Sequence, residues 1–236
     1  MNATLLIAKR EFRSYFDSPI AYVVLILSLF VVGILYFQSF WTVNQATVGP
    51  LFTYMPWMFI FLVPAMTMRL FAEEKRTGTI ELLMTMPVRD REVVLGKFFG
   101  AVGLIVVLLL LTLTYPLSIG RLGDLDNGPL AVGYLGLLLE SGAALAIGIW
   151  ASTLTENQIV AMFIAGVLMM VLFIIDYLFA SVTGVAGDII GFISFQRRLM
   201  PFSRGLLDIR NAVYFVSVTA FFLTLATRSL ESRKWK

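Results

Sequence analysis

Histidine and cysteine are both absent from the 236-residue chain. Without histidine, the chain cannot build His-based zinc sites, His-ligated haem, Ser-His-Asp or Cys-His catalytic centres, or His proton relays. Without cysteine, it cannot be a disulfide scaffold. Charge is also scarce: 14% of the residues are charged and 59% are hydrophobic, whereas an average soluble domain is about 25% charged and roughly 45–50% apolar. So few charges cannot cover a water-soluble surface, and a mean hydropathy of +0.88 predicts an integral membrane protein.

Long uncharged runs indicate how often the chain crosses the membrane, because a spanning helix needs about 20 mostly apolar residues. The stretch between Asp17 and Arg69 carries no charge and is long enough for two such helices, separated by the polar residues 42–50. Four further apolar runs follow, and Glu140 is a charged residue in the middle of the second of them. We therefore expect an all-α integral membrane fold with six spans, at about 20–41, 51–70, 98–119, 130–152, 157–179 and 207–228.

The distribution of lysine and arginine predicts the orientation of these spans. An even number of spans places both termini on one side, and the segments on that side carry most of the basic residues: Lys9, Arg10, Arg13, Arg69, Lys75, Arg76, Arg89, Arg91, Lys97, Arg228, Arg233, Lys234 and Lys236. The other side carries Arg121, Arg197, Arg198, Arg204 and Arg210. Because cytoplasmic segments hold the excess of Lys and Arg, we expect both termini in the cytoplasm. The net charge of +3 then reflects topology, and no basic patch with interleaved aromatics indicates nucleic-acid binding.

The first 19 residues predict an amphipathic helix along the membrane surface, ended by Pro19. Its predicted apolar face carries Leu5, Leu6, Phe12 and Phe16, and its basic face carries Lys9 and Arg13. The alternative is a frayed, charged leader. Five charges in this segment argue against a cleavable signal peptide, and the apolar run that follows is too long for one.

The loop between the second and third spans, residues 69–99, holds six basic and five acidic side chains. Its pattern predicts a short helix from Phe71 to Thr85 and an interruption at Pro87. A second helix, with Asp90 as its N-cap, is then expected to run into the third span. One interpretation is a solvated hairpin whose charges neutralise each other. The other is a helix that docks onto a soluble partner, with Gly78 providing a bend or a close backbone approach.

A family resemblance favours the docking interpretation. The string PWMFIFLVPAMTMRLFAEEKRTGTIELLMTMPVRDREVVLGKF, with its EE-x-x-x-G-T-x-E-L-L pattern, resembles the second span and coupling segment of type-2 ABC transporter permeases. The segments ASTLTENQIVA at 151–161 and 202–235 are also similar to these permeases. The similarity covers essentially the whole chain and is greatest to the GldF-like branch, first named from gliding motility.

The resemblance implies a single ABC-2-type transmembrane domain over 1–236. Within it lie the interfacial helix (1–19), spans 1–2 (20–70), the coupling segment (71–97), spans 3–5 (98–179), short external or re-entrant helices (180–206), span 6 (207–228) and a cytoplasmic tail (229–236). By analogy, the contact with an ATPase is formed by Glu73, Glu74, Arg76, Gly78, Thr79 and Glu81.

The resemblance also implies partners and a location. Two ATPase subunits that bind ATP and Mg²⁺, and a second permease copy or a related permease chain, complete an exporter in the bacterial inner membrane. The branch also suggests a partner with a large extracytoplasmic domain. This chain carries no G-x-x-x-x-G-K-[ST] motif, so it is not expected to hydrolyse ATP itself.

Three further residues are candidates at membrane depth. Glu140 predicts a functional or interface role, because a carboxylate in a bilayer core costs several kcal/mol unless it is paired, protonated or wet. The alternative is that its span begins later and Glu140 lies near the outer interface. Small residues after Glu140 predict a close helix approach. Pro56 and Pro64 predict kinks, either lining an export path or in a bent, lipid-facing helix.

Other functions remain as alternatives to an exporter subunit. A scaffold without transport of its own has the same sequence features. A secondary transporter is disfavoured, because no inverted repeat is evident and Glu140 is almost the only ionisable group suited to ion coupling. Glu73 and Glu74 superficially resemble the EE-x-x-x-R motif of CAAX-type membrane proteases. Arg76 follows after only one residue, however, and the histidines that such enzymes need are absent.

Overall fold

The computed structural model describes residues 3–43, 47–79, 88–121, 123, 126–179, 181–182 and 184–232. Within these ranges the regular elements are helices: α1 (Ala3–Asp17), α2 (Pro19–Val43), α3 (Gly49–Thr67), α4 (Arg69–Arg76), α5 (Asp90–Thr112), α6 (Thr114–Ile119), α7 (Asn127–Leu154), α8 (Gln158–Leu178), α9 (Val185–Ile193), α10 (Phe195–Ser203) and α11 (Ile209–Glu231). Six segments are long and apolar enough to cross a membrane: α2, α3 with α4, α5 with α6, α7, α8 and α11. The predicted all-α fold with six spans is confirmed.

Helix α7 lies at the centre of the bundle. It packs against α11, α3, α8, α10 and α5, and its residues from Glu140 to Ile149 are all buried. Small side chains permit this crowding. A Cβ at Gly136 would lie 2.6 Å from the Cβ of Phe202 in α10, and a Cβ at Gly148 would collide with Thr67 in α3. The close helix approach predicted after Glu140 is therefore present, and it extends along most of α7.

Helix α1 packs closely against α5 through a row of glycines. A Cβ at Gly100 would lie 2.7 Å from the Cβ of Glu11, and a Cβ at Gly103 would lie 2.8 Å from the ring of Phe12. Gly96 makes the same kind of approach to Ile7. Glycines spaced four and three residues apart lie on one helix face, so they form a groove that admits the α1 backbone.

This groove determines which face of α1 is buried, and the predicted apolar face is wrong in part. Leu5 and Leu6 are 62% and 47% exposed, on the same side as the exposed Lys9 and Arg13. The inward face instead carries Glu11 and the buried Tyr15. The hydrophobic pattern alone could not identify this face, because the partner of α1 is a glycine groove that accepts polar and apolar residues alike.

The segment after the second span also differs from its prediction. The helix α4 begins at Arg69 instead of Phe71, is described as far as Arg76, and is followed by a turn at residues 77–78. Residues 80–87, which include Glu81, lie outside the described residues. The N-cap of α5 is Arg89, one residue before the predicted Asp90. The Glu92 carboxylate stabilises this start by accepting the Arg89 backbone N–H at 2.9 Å.

Two short helices, α9 and α10, confirm the helices expected between spans 5 and 6. Helix α10 buries Phe195, Leu199 and Phe202 and packs against α7. At the end of α8, Asp176 forms an ion pair with Arg197 of α10 at 2.5 Å. This pair ties the end of α8 to α10.

Candidate functional site

The end of the bundle opposite to α9 and α10 is called the α4 end. Helices α1 and α4, the start of α5 and the last turns of α7 and α11 meet there. Its centre is Lys97 of α5, which is 1% exposed. The Lys97 Nζ lies 2.7 Å from Oε1 of Glu74 in α4 and 3.4 Å from Oε1 of Glu11 in α1. It also lies 5.0 Å from the centre of the Phe71 ring. One buried ammonium group thus joins three helices.

Charge balance makes this burial tolerable, because a buried ammonium is stable only when it is paired and hydrogen-bonded. Arg10 adds a fourth group, with its guanidinium 2.8 Å from Glu11. Burial by itself would raise the pKa of Glu11, but the positive charges of Lys97 and Arg10 hold that pKa below its ordinary value. We call Lys97, Glu11, Glu74 and Arg10 the Lys97 cluster. It borders a cleft of about 440 Å³ between α1 and α4.

The other face of α4 is hydrogen-bonded to the end of α7. The backbone N–H groups of Phe71 and Ala72 both donate to the Ser152 Oγ at 3.0 Å, and that hydroxyl donates to the Met68 carbonyl at 3.0 Å. The Lys75 Nζ donates to the Thr153 carbonyl. Ser152 therefore satisfies backbone groups at the break between α3 and α4, a role that a membrane interior requires of some neighbouring side chain.

A third set of contacts connects α4 and the end of α3 to α1. The Arg69 guanidinium lies 5.4 Å from the centre of the Tyr15 ring and donates to the Ser18 Oγ at 3.3 Å. The Tyr15 hydroxyl donates to the Met66 carbonyl at 3.4 Å. Burial, together with the nearby Glu11 carboxylate, raises the pKa of Tyr15. Tyr15 therefore stays neutral and remains a hydrogen-bond donor at physiological pH.

The predicted ATPase-contact residues that the structure describes fall into two groups. Glu73, Arg76, Gly78 and Thr79 are exposed, as a contact surface requires. Glu74 is directed inward to Lys97 instead. Gly78 has φ +71°, and no described atom lies within 4 Å of the position that its Cβ would occupy. Gly78 therefore makes a bend, one of its two predicted roles, and makes no close approach to the described part of this chain.

The membrane-depth candidates are all inside the protein. Glu140 is the fourteenth of the 28 residues of α7, about 20 Å from the start of that helix, so it lies at the middle of α7. It is 3% exposed, and its Oε2 has no hydrogen-bond partner in the described structure. Pro56 and Pro64 are buried within α3, so neither is in a lipid-facing position. Whether the three residues act in transport stays a prediction.

Sequence reasoning missed Lys97, Glu11 and Ser152 as parts of one site. Lys97 and Glu11 are 86 residues apart, and no local pattern relates them. One signal was available: Gly96, Gly100 and the other glycine of the α5 row lie on a single helix face next to Lys97. Such a row predicts a close helix partner, and an amphipathic helix of this chain was the obvious candidate.

Comparison with known proteins supplies the family. No curated protein gives a significant match to this chain. A family model described as ABC-2 family transporter protein matches residues 32–226, which run from within α2 to within α11 and cover well over half of the sequence. The match agrees with the six membrane-crossing segments. The chain belongs to the ABC-2 family of transporter membrane proteins.

Proposed function

We propose that this multi-pass permease subunit forms the transport pathway of an ATP-driven exporter and receives its driving force through α4. Membership of the ABC-2 family implies an ATPase partner in the transporter. The chain itself lacks the glycine-rich phosphate-binding motif, so nucleotide hydrolysis belongs to that partner, which binds ATP and Mg²⁺.

One observation carries the proposal: α4 is bonded to other helices on its inner faces, and its outer tip, with Glu73, Arg76, Gly78 and Thr79, is exposed in the described part of the chain. Glu74 holds it to α5 and α1 through Lys97, and Ser152 holds it to α7. The exposed tip carries Glu73, Arg76 and the bend at Gly78. A partner can bind such a helix at its exposed face. Because the remaining faces are bonded to three other helices, a displacement of α4 is passed on to them.

The contacts suggest how such a displacement spreads. Movement of α4 pulls on Ser152 and Thr153, at the end of the central helix α7, which packs against five other helices. The same movement pulls on Lys97 and so on α5 and α1. Closure of the ATPases would then tilt the spans together, and their reopening would reverse the tilt. This is a rigid-body mechanism, in which packed elements shift between discrete arrangements.

The remaining parts of the proposal follow from the sequence and the family. The transporter contains two ATPase subunits and either a second copy of this chain or a related permease. Both termini and α4 lie on the cytoplasmic side of a bacterial inner membrane, as the distribution of Lys and Arg favours. The sequence pattern favours the GldF-like branch, and with it a partner that has a large extracytoplasmic domain.

Charge reversal on the exposed tip tests the proposal. Glu73→Lys should weaken co-purification with the ATPase and lower ATP turnover in reconstituted vesicles. The matched control is Asp17→Lys, which reverses an exposed carboxylate at the α4 end outside α4 and should change neither quantity. If Glu73→Lys leaves both binding and turnover at the wild-type level, the coupling role of α4 is wrong. Normal ATP turnover of the wild type without any solute flux would instead favour a scaffold.

A further inference from the structure

An open groove between α5, α7 and α11 lies outside the contacts described so far. Its volume is about 720 Å³, and its walls are mainly apolar, with Phe98 and Phe99 from α5, Leu139 from α7 and Leu223 from α11. Gly142 forms part of its floor, and a Cβ at Gly142 would come no closer than 3.9 Å to any other side chain. The space is therefore a real gap between three spans, wide enough for an occupant.

The hydroxyl groups in the groove do not make its wall polar. Thr219, Thr224 and Thr227 all contribute to the lining, but their hydroxyls donate to carbonyls of their own helix: those of Phe215, Phe221 and Leu223, at 2.7–2.8 Å. A hydroxyl that is already bonded to its own backbone offers little to a polar ligand. The wall thus favours a hydrocarbon chain.

Charge is concentrated at one mouth of the groove, at the α4 end. Arg91 and Arg228 both line this mouth and are exposed. In the described structure neither guanidinium has a hydrogen-bond or ion-pair partner. Glu231 is the third charged group that the described residues place at the mouth, and these three groups together carry one net positive charge. Two unpaired guanidinium groups above a hydrocarbon slot are complementary to a phosphate that carries acyl chains.

The length of the groove fits the same ligand. Along α5 the lining extends from Arg91 to Val102, and eleven residues of α-helix rise about 16 Å. One leaflet contributes about half of the roughly 30 Å hydrocarbon core of a bilayer. The groove therefore extends from the headgroup level at the α4 end to about the middle of the membrane, which is the reach of a single acyl chain.

We propose that this groove binds one anionic phospholipid from the leaflet at the α4 end. Arg91 and Arg228 hold its phosphate, and an acyl chain lies along Phe98 and Leu223. Basic pockets between spans are a known way to select anionic headgroups. The lipid would occupy the gap between α5 and α11. Both of these helices also take part in the packing at the α4 end. The proposal does not depend on the direction of transport or on the ATPase.

The test uses the full chain in nanodiscs that contain equal amounts of phosphatidylglycerol, phosphatidylethanolamine and phosphatidylcholine, followed by native mass spectrometry of the retained lipids. The wild type should retain one phosphatidylglycerol in preference to the other two. Arg91→Gln and Arg228→Gln should each reduce that retention about fivefold, because one basic residue near anionic lipid contributes about 1 kcal/mol. Arg13→Gln, a basic residue at the same end outside the groove, is the matched control and should have no effect.

A second variant tests the slot independently of the charges. Ala220→Trp fills the groove from α11 and should abolish the retained lipid, whereas Ala131→Trp, on an exposed part of α7 outside the groove, should not. Equal retention of the three lipids, a preference for phosphatidylethanolamine, or retention that survives Ala220→Trp would overturn the proposal. So would efficient disulfide cross-linking between copies that carry Leu95→Cys, because it would show that a second copy covers the groove.

Discussion

The Lys97 ammonium lies 2.7 Å from the Glu74 carboxylate, across 23 residues of sequence, and the same ammonium also reaches Glu11 on α1. Helix α4 is therefore held to the bundle by a side-chain ion pair as well as by its backbone connection. Its inner face is fixed by an ion pair that is shielded from solvent, and the Glu73 and Arg76 side chains of its outer face are exposed in the described structure. This relationship is the physical basis of the coupling proposed for α4.

Removal of the Lys97 charge should strongly destabilise the α4 end. Lys97→Met leaves two carboxylates partly buried without their cation, and breaking a buried pair in this way costs about 3–5 kcal/mol. Thermal unfolding of the purified protein in detergent is the measurement. The triple variant Lys97→Met, Glu11→Gln, Glu74→Gln should recover most of the loss, because it leaves no buried charge unpaired in the cluster; the Arg10 guanidinium loses Glu11 but is 59% exposed. A single variant as stable as the wild type would contradict the described ion pair.

Loss of the Ser152 hydroxyl should separate ATP turnover from transport. In Ser152→Ala the N–H groups of Phe71 and Ala72 lose their acceptor, at a cost of about 1–3 kcal/mol, and α4 loses a tie to α7. We expect fewer solute molecules moved per ATP hydrolysed. Ser141→Ala is the control, because among the described residues the buried Ser141 hydroxyl bonds to the Leu138 carbonyl of its own helix and to no other helix. Equal transport per ATP in the two variants would show that Ser152 has no coupling role.

The glycine row of α5 should not tolerate even one methyl group. Gly100→Ala places a Cβ 2.7 Å from Glu11 and 3.1 Å from the Ala8 carbonyl oxygen, and overpacking of this kind costs about 1–3 kcal/mol. Since the native chain lacks cysteine, spin labels at Arg13→Cys and Leu110→Cys can report the separation of α1 and α5. Gly100→Ala should lengthen or broaden that distance, and Gly142→Ala should not. An unchanged distance in Gly100→Ala would refute the close packing.

The same label pair should respond to acid through Glu11. The pKa of Glu11 in the folded protein lies below its ordinary value of 4.5. Its contribution to α1 docking is therefore fully present above about pH 4.5 and is lost as the pH falls through the lower folded-state pKa. The distance should stay constant from pH 8 to pH 5 and broaden below that range. In Glu11→Gln this pH dependence should disappear, and its persistence would assign the effect to another group.

The six spans could be predicted from the sequence because a bilayer imposes a simple rule: charge is excluded over about 20 residues at a time. The same rule marked Glu140 as unusual, and the structure places it in the middle of α7. The small residues that follow Glu140 predicted close packing, which Gly148 makes with Thr67. These features depend on local composition, and local composition is visible in the sequence.

The Lys97 cluster could not be predicted, because its geometry depends on tertiary packing. Glu73 and Glu74 are neighbours with identical chemistry, yet only Glu74 meets Lys97. Adjacent helix positions point about 100° apart, and which of them faces inward depends on where α5 lies. Ser152 is one of several hydroxyl side chains in its segment, and the sequence does not indicate which of them bonds to α4. Its role follows from its position opposite the break between α3 and α4.

The most direct test of the account is the location and neighbour of the α4 tip. Thr79→Cys introduces a single thiol at an exposed position into a chain without other cysteines. We expect a membrane-impermeant maleimide to label this thiol in inside-out vesicles but not in intact cells, and a bifunctional cross-linker to join it to the ATPase subunit. Labelling only in intact cells, or accessibility from the cytoplasm without any cross-link to an ATPase, would contradict this expectation.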